Sequence, residues 1–351
     1  MHGGYEMGMS RADDEKFMRL ALREAARGVG CTSPNPAVGA VIVKGGRVLA
    51  KGWHRCAGGA HAEIEVLRAL KRPELARGAT IFVTLEPCCT HGRTPPCTDA
   101  IVAAGIARVV VGATDPNPRH AGRGFAVLEK AGIAVTVGVL AEECAALNAG
   151  FNKWITTGMP LVIAKAGLSL DGRLTRPPGE GAWLTSEKSR ADAMRLRAIV
   201  DAILIGAGTV RADNPRLTVR GLHSAVTRQP WRVVLTRSGR LPKGAHLFSD
   251  GQRERTLVFR GKSLRAVLRD LGTRGCTSVM IEGGGALLGT AFDAHLVDRV
   301  HFYLAPLLCS GPDAIGGVGA GSTRESLKLQ NVSFRKIGPD IRMTADVCAA
   351  E

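Results

Sequence analysis

Residues 79–105 read ATIFVTLEPCCTHGRTPPCTDAIVAAG. The stretch opens with seven apolar and β-branched residues after Gly78, the pattern of a buried strand. It closes with CTDAIVAAG, which reads as a short helix ending at Gly105. Between them lies a proline-rich loop with Cys88, Cys89, His91 and Cys97. A strand that runs through a loop into a helix is the repeating unit of α/β domains, which build their sites in such loops.

The same alternation extends in both directions. Residues 13–27 carry one broad apolar helical stripe, with Asp13 and Asp14 near its start. Residues 37–43 (AVGAVIV) and 107–115 (ARVVVGATD) read as strands, and 61–70 (HAEIEVLRAL) as a helix. Near residues 145–160 the pattern resets around Trp154 and Pro160. A boundary between Leu147 and Pro160 divides the chain into domains over 1–150 and 151–351. In the second half, strands are expected at 161–170, 201–208, 231–237, 256–260, 278–285 and 297–306, with helices at 186–199, 263–271 and 286–294. Residues 209–230 are polar and arginine-rich, and the pattern predicts no core there. The fold class is α/β in both halves, with parallel strand pairs and helices on both faces of each sheet.

A chain of 351 residues suffices for two ordinary domains. Its N-terminal stretch lacks the apolar core of a signal peptide, and no run is long enough for a membrane helix. The expectation is a soluble cytoplasmic protein with no membrane partner. Nine scattered cysteines, an odd number, argue against a disulfide framework. The net charge of +16 would suit nucleic acid or anionic small molecules, but the basic residues are spread along the chain and aromatics are only 4%.

The loop cysteines acquire a chemistry from His61-Ala62-Glu63. His61 and Glu63 open a helix, Cys88 follows a strand and Cys97 begins another helix, so all can converge on one cleft. One imidazole and two thiolates make three protein ligands, which leaves zinc a fourth position for water, as in catalytic sites. Such water has a pKa near 7. Glu63 need not be a ligand and can carry a proton from that water to a leaving amine. This is the division of labour of zinc deaminases, whose signature joins H-x-E to a later P-C and a second Cys. Cys88 is preferred to Cys89 because it follows Glu86-Pro87. Separately, each of these residues reads as helix surface or chance, and a structural zinc closed by Cys89 or His91 is the alternative.

The general signature has two residues between its cysteines. Here eight intervene, CTHGRTPP. With SPNPAVGAVIV (33–43), GWH (52–54), HAE (61–63), TLEPCCTHGRTPPC (84–97) and DPNPRHAGRG (115–124), the first half closely resembles the deaminase half of the bifunctional bacterial riboflavin-biosynthesis deaminase/reductase family. AKAGLSLDGR (164–173), WLTS (183–186), LRAIVDAILIGAGTVRADNPRLTVR (196–220) and IEGGGALLG (281–289) resemble its reductase half. The resemblance covers roughly 10–305 and weakens beyond about 310. It departs locally at Cys89 and Thr90, where the family more often has Ser and a polar residue such as His or Gln.

The resemblance implies a cytidine-deaminase-like three-layer α/β/α domain followed by a dihydrofolate-reductase-like α/β domain. Its first substrate would be a 2,5-diaminopyrimidinone with a ribosylamino 5′-phosphate, losing its C2 amine as ammonia. Asn35 and His54 would hold the pyrimidine, Asp115 and Asn117 the ribose phosphate portion, and Arg93 would pair with the phosphate. Read alone, Asn35 and Asn117 are equally turn formers between prolines, and Arg93 a solvated charge.

In the second half, Gly283–Gly285 and Gly206-Ala207-Gly208-Thr209 are glycine turns after strands, where backbone N–H groups could approach a phosphate. The spacing is not the full dinucleotide fingerprint, and tight structural turns are the alternative. The resemblance implies NADPH. Gly167, Trp183, Thr209, Asp213 and the run Gly284, Gly285, Ala286, Leu287, Leu288, Gly289 and Thr290 would meet the cofactor. Lys165, Gly181, Arg197, Leu217, Arg220 and Glu282 would meet the substrate, whose ribosylamino group is reduced to ribitylamino through an imine. No general acid for that step stands out. The family also implies dimers or tetramers.

Two other functions compete. A nucleic-acid-editing deaminase would want C-x-x-C and stacking aromatics, whereas the chain has the long insert and two tyrosines. A zinc-organised binding protein would want four protein ligands and no role for Glu63.

Overall fold

The computed structural model describes residues 9–91, 95–174, 183–221, 228–310 and 313–348. The chain divides into two compact units between Thr157 and Gly158.

The first unit runs α1 (Arg11–Ala26), β1 (Gly39–Lys44), β2 (Arg47–Trp53), α2 (Ala62–Arg68), β3 (Thr80–Leu85), α3 (Cys97–Ala103), β4 (Arg108–Ala113), α4 (Arg123–Lys130), β5 (Ala134–Val137), α5 (Ala141–Leu147) and α6 (Ala149–Thr157). Its sheet has the order β2-β1-β3-β4-β5. β3, β4 and β5 are parallel, while β1 is antiparallel to both its neighbours. Alternate side chains sort onto two faces. Ala40, Ile42, Ile81, Val83, Val109 and Val111 pack with Val66 of α2, Ile101 of α3 and Leu128 of α4. Val41, Val43, Phe82 and Val110 pack with Phe17, Met18 and Ala21 of α1 and Cys144 of α5. With both faces covered, the strands read as continuous apolar runs, hence the legibility of ATIFVTL. The β1–β2 hairpin closes on Gly45 and Gly46, whose φ values of 53° and 71° suit a two-residue turn of the kind that keeps paired strands twisted together. β2 lies at the sheet edge and is half exposed, so its apolar pattern is weak.

The second unit runs β6 (Leu161–Ser169), α7 (Glu187–Ile199), β7 (Ala202–Gly206), α8 (Ala207–Asp213), β8 (Trp231–Thr236), α9 (His246–Ser249), β9 (Thr256–Arg260), α10 (Leu264–Thr273), β10 (Ser278–Ile281), α11 (Gly285–Asp293), β11 (Arg299–Ala305), β12 (Leu329–Ile337) and β13 (Asp340–Val347). The sheet order is β12-β13-β11-β6-β10-β7-β8-β9. From β11 to β9 all neighbours are parallel, and β12–β13 is an antiparallel hairpin added at one edge. One face packs against α10 and α11, with Val267, Leu268 and Leu288 inside. The other packs against Leu196 of α7 and Val210 of α8.

Residues 209–230 depart from the sequence expectation. Val210, Leu217 and Val219 are buried, at 1%, 2% and 6% exposure. The arginines around them neither spoil nor replace this packing. Arg232, itself 1% exposed, donates to the Arg216 carbonyl and to Asp250, and so ties the polar segment to the core. An arginine paired and fully hydrogen-bonded can lie inside a fold.

Candidate functional site

Three local structures bring the first site together. His61 occupies the N-cap position of α2, Glu63 lies in its first turn, Cys97 is the first residue of α3, and Cys88 follows β3. The Thr98 N–H donates to the Cys88 carbonyl, fastening the loop to α3 at both ends. His61 Nδ1 is 3.3 Å from Cys97 Sγ and 3.5 Å from Cys88 Sγ. All three ligand atoms lie within 4.8 Å of one another.

Zinc bonded to sulfur and nitrogen at its usual lengths would span tetrahedral N···S edges of about 3.5 Å. The measured spacings match this, and an imidazole with two thiols is a donor set that zinc favours. Hydrogen bonding from the Cys97 thiol, with help from His61, lowers Cys88 to about 4. Its bond to Cys88, reinforced by burial, raises Cys97, so within the pair Cys88 is the thiolate. The bond to Cys88 also raises His61, against the effect of burial. Glu63 is 3% exposed. Burial first, and the Cys88 charge second, raise its carboxyl to about 7.

His61 and Cys88 of the trio, with Glu63, line a cavity of about 260 Å³, while Cys97 is buried behind them. Asn35 and His54 line it, with the Asn35 amide 3.3 Å from His54 Nε2. His54 Nδ1 lies 2.9 Å from the Ala60 carbonyl and donates to it, so Nε2 accepts from Asn35. Burial lowers the pKa of His54, in keeping with a neutral ring. Asp115 and Asn117 line the cavity too. The Asn117 N–H donates to Asp115 Oδ1 at 2.9 Å, and burial raises the Asp115 carboxyl. Arg93 falls outside the described residues.

Several residues that build this cavity were not singled out in the sequence. Glu86, 5% exposed, accepts from the N–H groups of Asp115, Gly122 and Gly124 and shapes the turn that carries Asp115 and Asn117. Its position before Pro87-Cys88 was the available signal. Asn148 exchanges two hydrogen bonds with the Ala37 backbone, which fixes the Asn35–Ala37 segment. No local pattern announces a contact across that much chain. His120 and Phe151 also line the cavity.

The second unit assembles another cluster. Glu282 follows the last residue of β10, whose neighbour β6 carries Lys165. It lies 2.9 Å from both Lys165 Nζ and Arg197 Nε. Burial alone would raise the Glu282 carboxyl, but the two cations hold it down at about 2. Arg197 also donates to the Thr218 carbonyl. Burial, with the charges of Arg197 and Arg216, lowers Arg220. These arginines therefore share a positive neighbourhood suited to an anion. The Leu217 side chain is in the core, which leaves its backbone to face any ligand.

A Cβ built on Gly206 or Gly208 would meet nothing within 4 Å, and one on Gly284 would find only Thr209 Oγ1 at 3.9 Å. The space beside Thr209 is thus open and suits a bound cofactor. Burial raises Asp213, at the end of α8. Gly285 and Gly289 have a different explanation. A Cβ there would strike the Ala314 carbonyl at 2.9 Å or Gly316 at 2.2 Å, so these glycines serve close packing. Leu287 and Leu288 are core residues of α11, whereas Ala286 and Thr290 are exposed. Gly167 abuts Thr185, and Trp183 is 62% exposed beneath the Arg190 guanidinium. Gly181 lies outside the described residues.

Residues 11–113 match the cytidine and deoxycytidylate deaminase zinc-binding region, and residues 160–343 match the RibD C-terminal domain. The chain is 40% identical to the riboflavin biosynthesis protein RibD of Bacillus amyloliquefaciens, covering 95% of this chain and 96% of that protein. The chain belongs to the RibD family. RibD of Escherichia coli K12 is likewise 40% identical, over 93% of this chain and 98% of its own. Among solved structures, RibD of Acinetobacter baumannii superimposes with a TM-score of 0.89 at 36% identity, covering 97% of this chain and all of that one. A Thermotoga maritima structure described as a diaminohydroxyphosphoribosylaminopyrimidine deaminase/5-amino-6-(5-phosphoribosylamino)uracil reductase gives 0.87 at 36% identity, covering 96% and 99%. The chain is therefore a bifunctional deaminase and reductase of riboflavin biosynthesis with both domains present. Zinc and NADPH are the cofactors of its two halves. The family match runs to residue 343, through the first half of β13, and extends the sequence resemblance beyond 310.

Proposed function

We propose that His61, Cys88 and Cys97 hold the zinc ion and that Glu63 is the proton carrier in deamination of 2,5-diamino-6-(5-phosphoribosylamino)pyrimidin-4-one. The observation that carries this reading is the convergence of one imidazole and two thiols at tetrahedral spacing, beside a cavity that a buried carboxyl also lines. Zinc, when bound, lowers the pKa of water beside Glu63 toward neutrality. Glu63 accepts a proton from that water as its oxygen attaches to C2 and the ring C=N bond opens onto its nitrogen. Glu63 then returns the proton to the C2 amine, the exocyclic C–N bond breaks as the ring double bond re-forms, ammonia leaves, and the 2-hydroxy product tautomerises to the uracil. A carboxyl poised near 7 is suited to both transfers. Asn35 and His54 orient the ring, and Asp115 and Asn117 hold the sugar. The Arg93 guanidinium joins them at the phosphate.

In the second unit Lys165, Arg197, Arg220 and Glu282 bind 5-amino-6-(5-phosphoribosylamino)uracil, together with the Leu217 backbone and Gly181. NADPH, when bound, supplies hydride to the sugar carbon of the imine. Gly167, Trp183, Thr209, Asp213 and the turn into α11 surround the cofactor, and Gly285 and Gly289 keep that turn packed. The deaminase chemistry belongs to the unit that ends at Thr157 and includes α6, and the reductase chemistry to the unit that begins at Gly158.

The partners are small phosphorylated pyrimidines, not nucleic acid or membrane, and the setting is the cytoplasm. No described helix is long and apolar enough to cross a membrane. Copies of the chain associate, a reading supported by the exposed apolar residues Val332, Phe334 and Ile341 on the β12–β13 hairpin.

Purified protein given the diaminopyrimidinone phosphate releases ammonia and then consumes NADPH, followed by absorbance. Neither signal, or ammonia released from RNA instead, overturns this reading.

A further inference from the structure

The deaminase cavity has an uneven charge lining. Three acidic residues line it, Glu63, Glu86 and Asp115. Among the described lining residues, the groups able to carry positive charge are three imidazoles. His61 belongs to the metal trio. Both nitrogens of His54 are engaged, one by Ala60 and one by Asn35. His120 remains. Its backbone is fixed in the 115–124 turn, where its N–H donates to the Asn117 carbonyl at 2.9 Å. Its Nδ1 is sealed from solvent and has no hydrogen-bond partner among the described residues. Leaving a ring nitrogen buried and unpaired is costly, and a turn of the ring toward an anion in the cavity relieves that cost.

The His120 ring is also close enough for its charge to act on Asp115, offsetting part of the effect of burial there. It thus stands beside the residues that the proposed function assigns to the sugar phosphate, away from the metal trio in sequence. Beside the acidic Asp115 and Glu86, a doubly charged phosphate gains from a cation on the same turn, and His120 offers one in addition to the Arg93 assigned to the phosphate above.

We propose that His120 is a specificity residue of the deaminase site, pairing as an imidazolium with the phosphate of the pyrimidine substrate. The inference rests on the deaminase reading above. It assigns His120 to binding, not to proton transfer at C2. A charge-assisted hydrogen bond of this kind is worth about 10- to 100-fold in affinity.

Steady-state ammonia release tests it, with the phosphorylated diaminopyrimidinone and its dephosphorylated riboside as paired substrates. His120→Ala raises KM for the phosphorylated substrate by about 10- to 100-fold while kcat stays within about twofold. KM for the riboside does not change. His120→Lys, which restores a cation, recovers most of the loss, whereas the neutral His120→Gln does not. Zinc content and NADPH-dependent reduction serve as folding controls, and His120→Gln is read in place of His120→Ala if the latter loses zinc. An unchanged KM on the phosphorylated substrate, or equal losses on both substrates, overturns the inference while leaving the deaminase reading intact. A wild-type enzyme that releases no ammonia from either substrate overturns both.

Discussion

Glu282 shows how much one side chain can depend on its neighbours. Its carboxylate sits between Lys165 and Arg197, each 2.9 Å away, in a largely buried position. Burial would raise its pKa, but the two cations lower it from 4.5 to about 2. The folded-state value is the depressed one, so the stability it contributes is present above pH 4.5 and is lost as pH falls toward 2, worth roughly 3 kcal/mol in all. Glu282→Gln removes this linkage and leaves two cations unpaired. The urea midpoint of the second unit is therefore expected to drop on Glu282→Gln at neutral pH, with the gap from wild type narrowing below pH 4.5. A gap that is constant down to the acid limit contradicts the assignment. At this scale the sequence was legible where chemistry demands a particular side chain, as for His61, Glu63 and Cys88. It was silent where a residue works through distant backbone. Glu86 acts on N–H groups about thirty or more residues away, and Asn148 acts on Ala37. Cys88 and Cys89 are adjacent, but only Cys88 turns toward His61, while Cys89 is half-buried elsewhere.

Among the secondary-structure elements, α1 and β1 approach so closely that only glycine fits at position 39. A Cβ there would lie 2.1 Å from the Ala21 carbonyl and 2.4 Å from the Ala25 nitrogen. Gly39→Ala must push α1 off the sheet, an overpacking cost of about 1–3 kcal/mol. Thermal inactivation of ammonia release should then begin about 2–4 °C lower for each kcal/mol lost. An unshifted midpoint would mean that α1 moves freely. Elements buried on both sides, such as β3, β4 and β7, were legible because their apolar runs are uninterrupted. β2 and β12 were not, because edge strands keep one or both faces polar. The polar stretch that holds α8 misled for a different reason. Three buried residues suffice to anchor it, and two of its arginines find partners of their own, Arg211 in the Arg240 carbonyl and Arg228 in Asp201.

For the whole molecule, the two units carry separate clusters, one of metal-type donors in the first and one of paired charges around Glu282 in the second. Strand–helix alternation made both halves readable as α/β, and the eight residues between Cys88 and Cys97, with the motifs around them, carried the resemblance to the family's deaminase half. The central claim is that Glu63 moves protons at a site it does not help to build. Removing its acid–base capacity should cost deamination at least 100- to 10,000-fold, without disturbing the metal or the second activity. The most direct measurement is ammonia release by Glu63→Gln on the diaminopyrimidinone phosphate, with zinc counted in the same sample and NADPH-dependent reduction of pre-deaminated substrate run alongside. The account predicts zinc at the wild-type level, ammonia release abolished and reduction unchanged. Ammonia release near the wild-type rate, or loss of zinc and both activities together, would contradict it.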